Sequence, residues 1–138
     1  MAIQVTVSQH AGRVPVTVLK PRGDLDASNY QDLIAEATKA YNAGARDMLL
    51  DMSEVSCLSS SGLVALQSIA AMLRGEVPPN PEEGWSTIRA VHRDRDTGLQ
   101  AHFKLLSPQP RVDEVLNIVG FKKYLEISFD LEAAVASF

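Results

Sequence analysis

The 138-residue chain has one cysteine, one tryptophan and three histidines, and aromatic residues make up only 6% of it. A lone Cys57 excludes an internal disulfide and a cysteine-based zinc site, and its apolar neighbours Val55 and Leu58 predict a buried packing residue. No apolar run approaches the ~20 residues that span a bilayer. The start, Met-Ala-Ile-Gln-Val-Thr-Val, is neither basic nor continuously apolar, so the expectation is a cytoplasmic protein without membrane insertion. Positive charge is also scarce, with 13 Lys and Arg against 17 Asp and Glu for a net charge of -4. The one basic cluster, Arg89 to Arg95, is interrupted by Asp94 and followed by Asp96, which argues against a nucleic-acid partner.

Catalytic signatures are missing as well. There is no Gly-x-Ser-x-Gly elbow, no Gly-rich phosphate loop with its lysine, no dinucleotide fingerprint and no His-Glu-x-x-His. His10, His92 and His102 fall in a hairpin turn, in a Pro-rich stretch and at a strand start, so no base is expected beside a serine nucleophile. Asp24 and Asp26 read as turn and cap residues rather than as an acid–base pair. No catalytic residue, cofactor or metal site is expected, and the chain reads as non-enzymatic.

What is present is the composition of a globular protein, 46% hydrophobic and 22% charged. Ile3, Val5 and Val7 alternate with Gln4, Thr6 and Ser8, residues 9–13 turn the chain, and Val14, Val16 and Val18 alternate again. That pattern predicts an opening hairpin. Tyr30, Leu33, Ile34, Ala37 and Tyr41 have amphipathic-helix spacing, with Asp26 or Ser28 as cap and Gly44 as stop. Met48-Leu49-Leu50 predicts a central strand covered on both faces. Leu63, Leu66, Ile69, Ala70 and Leu73 then have helical spacing up to Arg74-Gly75.

Residues 75–100 hold Pro78, Pro79 and Pro81 and have no sustained hydrophobic period, which predicts a loop insertion containing Trp85. Phe103, Leu105 and Leu106 form a strand, and Val112, Val115, Leu116 and Val119 a helix closed by Gly120. Leu125-Glu126-Ile127 reads as a last strand, and Asp130 caps a terminal helix burying Leu131, Ala134 and Val135. The class is α/β: one domain with a mixed, mostly parallel sheet of about five strands and about four helices.

Ser59-Ser60-Ser61-Gly62 opens the second helix. Serine is a favoured N-cap and glycine permits close packing, which accounts for the cluster structurally. A phosphate there would also meet free N–H donors and the positive end of the helix dipole. Both readings stand on the residues alone.

The stretch Asp51-Met52-Ser53-Glu54-Val55-Ser56-Cys57-Leu58-Ser59-Ser60-Ser61-Gly62-Leu63 resembles the STAS family pattern of a hydrophobic strand, a D-L-S-x-V turn and D-S-S-G-L at a helix start. Gly23-Asp24-Leu25-Asp26 is similar to the family's G-E-L-D turn. Leu106-Ser107-Pro108 and Val119-Gly120-Phe121 also run in family style. The resemblance implies a STAS-like fold and an anti-sigma factor antagonist. It implies a bacterial phosphoprotein that binds an anti-sigma factor/serine protein kinase and is dephosphorylated by a PP2C-type phosphatase. By position the phosphorylated serine is Ser60, with Ser59 and Ser61 as alternatives. The partner-binding residues that the resemblance implies are Gly23, Asp24, Leu25, Asp26, Ser59, Ser60, Ser61, Gly62 and Leu63. Two positions depart from the pattern: Ser59 replaces the aspartate, and Val64, expected on the exposed side of the helix, replaces a glycine. The alternative function is a constitutive STAS scaffold or accessory subunit of a transport or stress-signalling complex, without a phosphoswitch. Oligomeric state is left open.

Overall fold

The computed structural model describes residues 3–75, 100–123 and 125–138. The expected insertion, with Trp85 and His92, lies outside the described residues apart from its ends.

Two strands, β1 (Gln4–Ala11) and β2 (Pro15–Arg22), form the antiparallel hairpin. They are followed by α1 (Tyr30–Asn42), β3 (Met48–Asp51), α2 (Ser60–Leu73), β4 (Phe103–Leu106), α3 (Pro110–Val119), β5 (Ile127–Ser128) and α4 (Leu131–Ala136). The sheet order is β1-β2-β3-β4-β5, and every pairing after the hairpin is parallel. The expected α/β class, the mixed sheet and, among the described residues, five strands and four α-helices are all found.

The alternation of side chains along the strands separates two cores. Leu19, Met48, Leu50, Phe103 and Leu105 face α1, α2 and α3 and pack with Leu33, Ala37, Leu66, Ile69 and Leu116. On the opposite face Val16, Val18, Leu49 and Leu106 pack with Ala134 and Val135 of α4. The Met48-Leu49-Leu50 run therefore lies in the middle strand and feeds both cores. Truncating a leucine so fully buried costs about 2–5 kcal/mol.

Helix ends follow local chemistry. Gly44 (φ +110°) and Gly120 (φ +84°) take the left-handed conformation that ends α1 and α3, and Pro110 occupies the first turn of α3. Asp130 caps α4, its carboxylate accepting from the Glu132 N–H at 3.2 Å.

Several expectations are corrected. α1 is capped by neither Asp26 nor Ser28: Asn29 occupies the cap position without a side-chain cap bond, because both Asp26 and Asn29 are committed to the preceding turn. Cys57 is exposed, since the extended loop turns Val55 and Leu58 inward and Cys57 out. Val64 is buried, because α2 is enclosed on more than one side. Leu131 is 36% exposed while Ala134 and Val135 are buried, as expected of a helix with one covered stripe. His10 belongs to β1, opposite Val16, rather than to the turn. The last strand starts two residues later than expected, its pairs being Leu105 with Ile127 and Leu106 with Ser128.

Candidate functional site

The carboxyl ends of β2 and β3 release two loops that run side by side. Gly23 (φ +102°) turns the chain out of β2 with a backbone most side chains resist. Its N–H donates to the Glu54 carbonyl at 2.9 Å. Leu25 forms a parallel bridge with Leu58, the Leu25 N–H donating to Cys57 O at 2.9 Å and the Ser59 N–H donating to Leu25 O at 3.0 Å. Motifs more than thirty residues apart in sequence are thus joined by backbone hydrogen bonds directly beneath the start of α2.

Side chains hold the first loop rigid. The Asp26 carboxylate accepts from the Ser28 hydroxyl at 2.6 Å and the Ser28 N–H at 2.9 Å. These donors favour the ionised form and hold the Asp26 carboxyl below the usual carboxylate range. Asn29 clamps the turn, accepting from Asp26 N–H at 3.0 Å and donating to Asp24 O at 2.7 Å.

The three serines have different surroundings. Ser59 is the N-cap of α2, and its hydroxyl accepts from the Gly62 N–H at 3.3 Å. Ser60, the first helical residue, is exposed, and its hydroxyl has no hydrogen bond among the described residues. Ser61 is half-buried. The N–H groups of Ser60 and Ser61 have no acceptor among the described residues, as expected in a first helical turn.

Gly62 sits where no side chain fits. A Cβ there would lie 2.5 Å from Leu58 Cδ1 and 2.9 Å from Leu25 O. Leu25 is fully buried and Gly62 is also buried, so both shape the surface from below. Gly23, Asp24, Asp26, Ser59, Ser60, Ser61 and Leu63 reach solvent to differing degrees.

Three further residues at this end of the sheet went unnoticed in the sequence. Glu54 accepts from Arg22 at 3.1 Å and sits 3.8 Å from Lys20, fastening the second loop to the end of β2. Asn29 supplies the clamp. Gln109 donates to Ser53 O at 2.8 Å and links the start of α3 to the same loop. Only Glu54, inside the matched motif, carried any signal, because pairing across loops has no period in sequence.

Among the described residues no group of three or more His, Cys, Asp or Glu could hold a metal ion, and no helix is long and apolar enough to cross a membrane. His102 pairs with Asp47 at 2.8 Å at the far end of β3, remote from the serines.

The family profile of the STAS domain matches residues 3–77, more than half of the chain. The chain belongs to the STAS domain family. Among curated proteins no sequence matches it. The STAS fold is matched by a Thermotoga maritima protein assigned as an anti-sigma factor antagonist, at 18% identity and a TM-score of 0.69, covering 94% of this chain and 90% of that one. An anti-sigma factor antagonist from Mycobacterium paratuberculosis matches at 18% identity and 0.67, covering 98% and 92%. The Bacillus cell fate determinant SpoIIAA in its phosphorylated form matches at 15% identity and 0.53, covering 95% and 96%. At these identities the likeness is one of fold.

Proposed function

We propose that this STAS domain is a non-catalytic anti-sigma factor antagonist, a binding module switched by phosphorylation of Ser60. The observation that carries the reading is the division of labour in the serine cluster. Ser59 spends its hydroxyl on the helix cap, Ser61 is half-buried, and Ser60 presents to solvent a hydroxyl that no described residue engages.

In its unmodified form the module binds an anti-sigma factor that is also a serine kinase, using the Gly23 to Asp26 loop and the exposed start of α2. That kinase transfers the γ-phosphoryl group of ATP to Ser60 Oγ, releasing ADP, and the hydroxyl proton passes to the kinase. The phosphate adds about -1.5 to -2 charges in the middle of the contact surface. Two free N–H groups and the helix dipole, worth about 0.3–1 kcal/mol for an anion at an exposed helix start, let the fold accept it. The cost therefore falls on the complex. A PP2C-type phosphatase restores the hydroxyl by hydrolysis, releasing inorganic phosphate. SpoIIAA, which shares this fold, has been captured phosphorylated.

The test is a binding titration of the cognate kinase against wild type and Ser60→Asp. A loss of at least tenfold in affinity supports the switch. Equal affinity contradicts it and favours a constitutive STAS scaffold, the reading suggested by the absence of an acidic residue at position 59.

A further inference from the structure

The sheet has two very unequal edges. β5 is two residues long, whereas β1 runs for eight, Gln4–Ala11, in unbroken register with β2. On its other side β1 meets no strand among the described residues. Such an edge offers a row of unpaired backbone donors and acceptors, and proteins ordinarily blunt it with Lys, Pro, a bulge or a covering segment. Gln-Val-Thr-Val-Ser-Gln-His-Ala contains no Lys, Arg, Asp, Glu or Pro, and its constant register leaves no bulge.

The direction of its backbone groups is fixed. The Thr17 N–H donates to Asp47 O beside β3, so Thr17 and its partner Gln9 are a non-hydrogen-bonded pair of the hairpin. Gln9, Val7 and Val5 therefore point their N–H and C=O groups outward. The Ile3 N–H is taken by the Asp32 carboxylate at 3.4 Å, so the free edge begins at Val5.

We infer that this edge pairs antiparallel with the β1 edge of a second copy of the chain, about a two-fold axis at Val7. Centring on Val7 places Val5 opposite Gln9 of the second copy and Val7 opposite itself, each a hydrogen-bonded pair, for about six new backbone bonds. Val7 is the one large hydrophobic on β1 that is exposed, at 42%. It borders a groove of about 550 Å³ lined also by Pro15, Thr17, Ala40 and Ala43. Pairing covers Val7 with its own copy.

Charge selects a second copy over an unrelated strand. Arg13, exposed and without an ion pair among the described residues, lies just past one end of β1, and Asp32 lies at the other. Antiparallel self-pairing brings each Arg13 toward the Asp32 of the other copy, twice over, as an isologous interface requires.

The test is sedimentation equilibrium of the full chain from low micromolar to about 1 mM, a range that reaches weak association. Wild type should approach twice the monomer mass. Val7→Lys, which sets two ammonium groups across the axis, should raise the dissociation constant at least tenfold with an unchanged far-UV circular dichroism spectrum. Arg13→Glu should weaken association and Arg13→Glu with Asp32→Lys should restore it. A wild type that stays monomeric throughout, or a dimer indifferent to both Val7→Lys and Arg13→Glu, overturns the inference.

Discussion

Leu25 and Leu58 form a single parallel bridge between two loops, and this bridge makes one surface of the Gly23 turn and the start of α2. Its leucines are buried at 0% and 6% exposure. The bridge therefore acts as the floor of the candidate site, with Ser59, Ser60 and Leu63 above it.

Gly62→Ala tests that floor. In an exposed helix interior, alanine for glycine stabilises by about 1 kcal/mol. Here the added carbon meets Leu58 Cδ1 at 2.5 Å and the Leu25 carbonyl at 2.9 Å, and a backbone atom cannot move aside cheaply. Overpacking of this kind costs about 1–3 kcal/mol. We expect net destabilisation in urea unfolding and faster hydrogen exchange at the Leu25 and Ser59 amides.

The serines should separate by stability. Ser59→Ala removes a cap whose loss costs ~1 kcal/mol, whereas Ser60→Ala, removing an exposed hydroxyl without a partner among the described residues, should stay within about 0.5 kcal/mol of wild type. Ser59→Asp keeps a capping acceptor and adds a favourable charge at the helix start, so it should match or exceed wild type. Parallel denaturant titrations of the three variants check this order.

Lys104 ties α4 to the back of the sheet. Although only 6% exposed, it donates to Ser137 O at 2.8 Å and Ser137 Oγ at 3.0 Å and pairs with Glu126 at 2.8 Å. Lys104→Met keeps the packing but leaves those acceptors without a donor, at about 1–3 kcal/mol. Hydrogen exchange should accelerate in α4 well before it does in β3.

Asp26 should titrate below an ordinary aspartate, because the Ser28 hydroxyl and N–H donate to its ionised form. A carboxyl whose folded value is depressed stabilises the fold above its unfolded value, and that contribution disappears as pH falls through the folded value. The stabilisation is thus present at neutral pH, and only its pH dependence is confined to acid solution. Ser28→Ala should raise the Asp26 midpoint, read from its carboxyl carbon by NMR, lower stability slightly at neutral pH and make the loss of stability in acid shallower.

Much of the fold was legible where burial follows a simple period. Met48-Leu49-Leu50 announced the central strand, Gly44 and Gly120 the helix ends, and Asp130 its cap. Cys57 misled because its loop has no period, so apolar neighbours in sequence say little about which way a side chain points. Val64 misled because helical spacing marks the face toward the sheet and not a second covered face. Asp26 and Ser28 were legible as capping types, but the closer claims of the turn took their side chains. At the site, each serine and the Gly23 turn could be read from the motifs. The Leu25–Leu58 bridge, the Asn29 clamp and the Glu54 fork could not, since contacts between loops leave no pattern along the chain.

Whether Ser60 is a phosphoswitch can be read by phosphosite mapping with mass spectrometry. Wild type and Ser60→Ala would be incubated with ATP in a lysate of the native organism with phosphatases inhibited. Phosphate is expected on Ser60 of wild type and none on the helix start of the variant. No phosphate on Ser59, Ser60 or Ser61 of wild type, or an unchanged yield in Ser60→Ala, would contradict it.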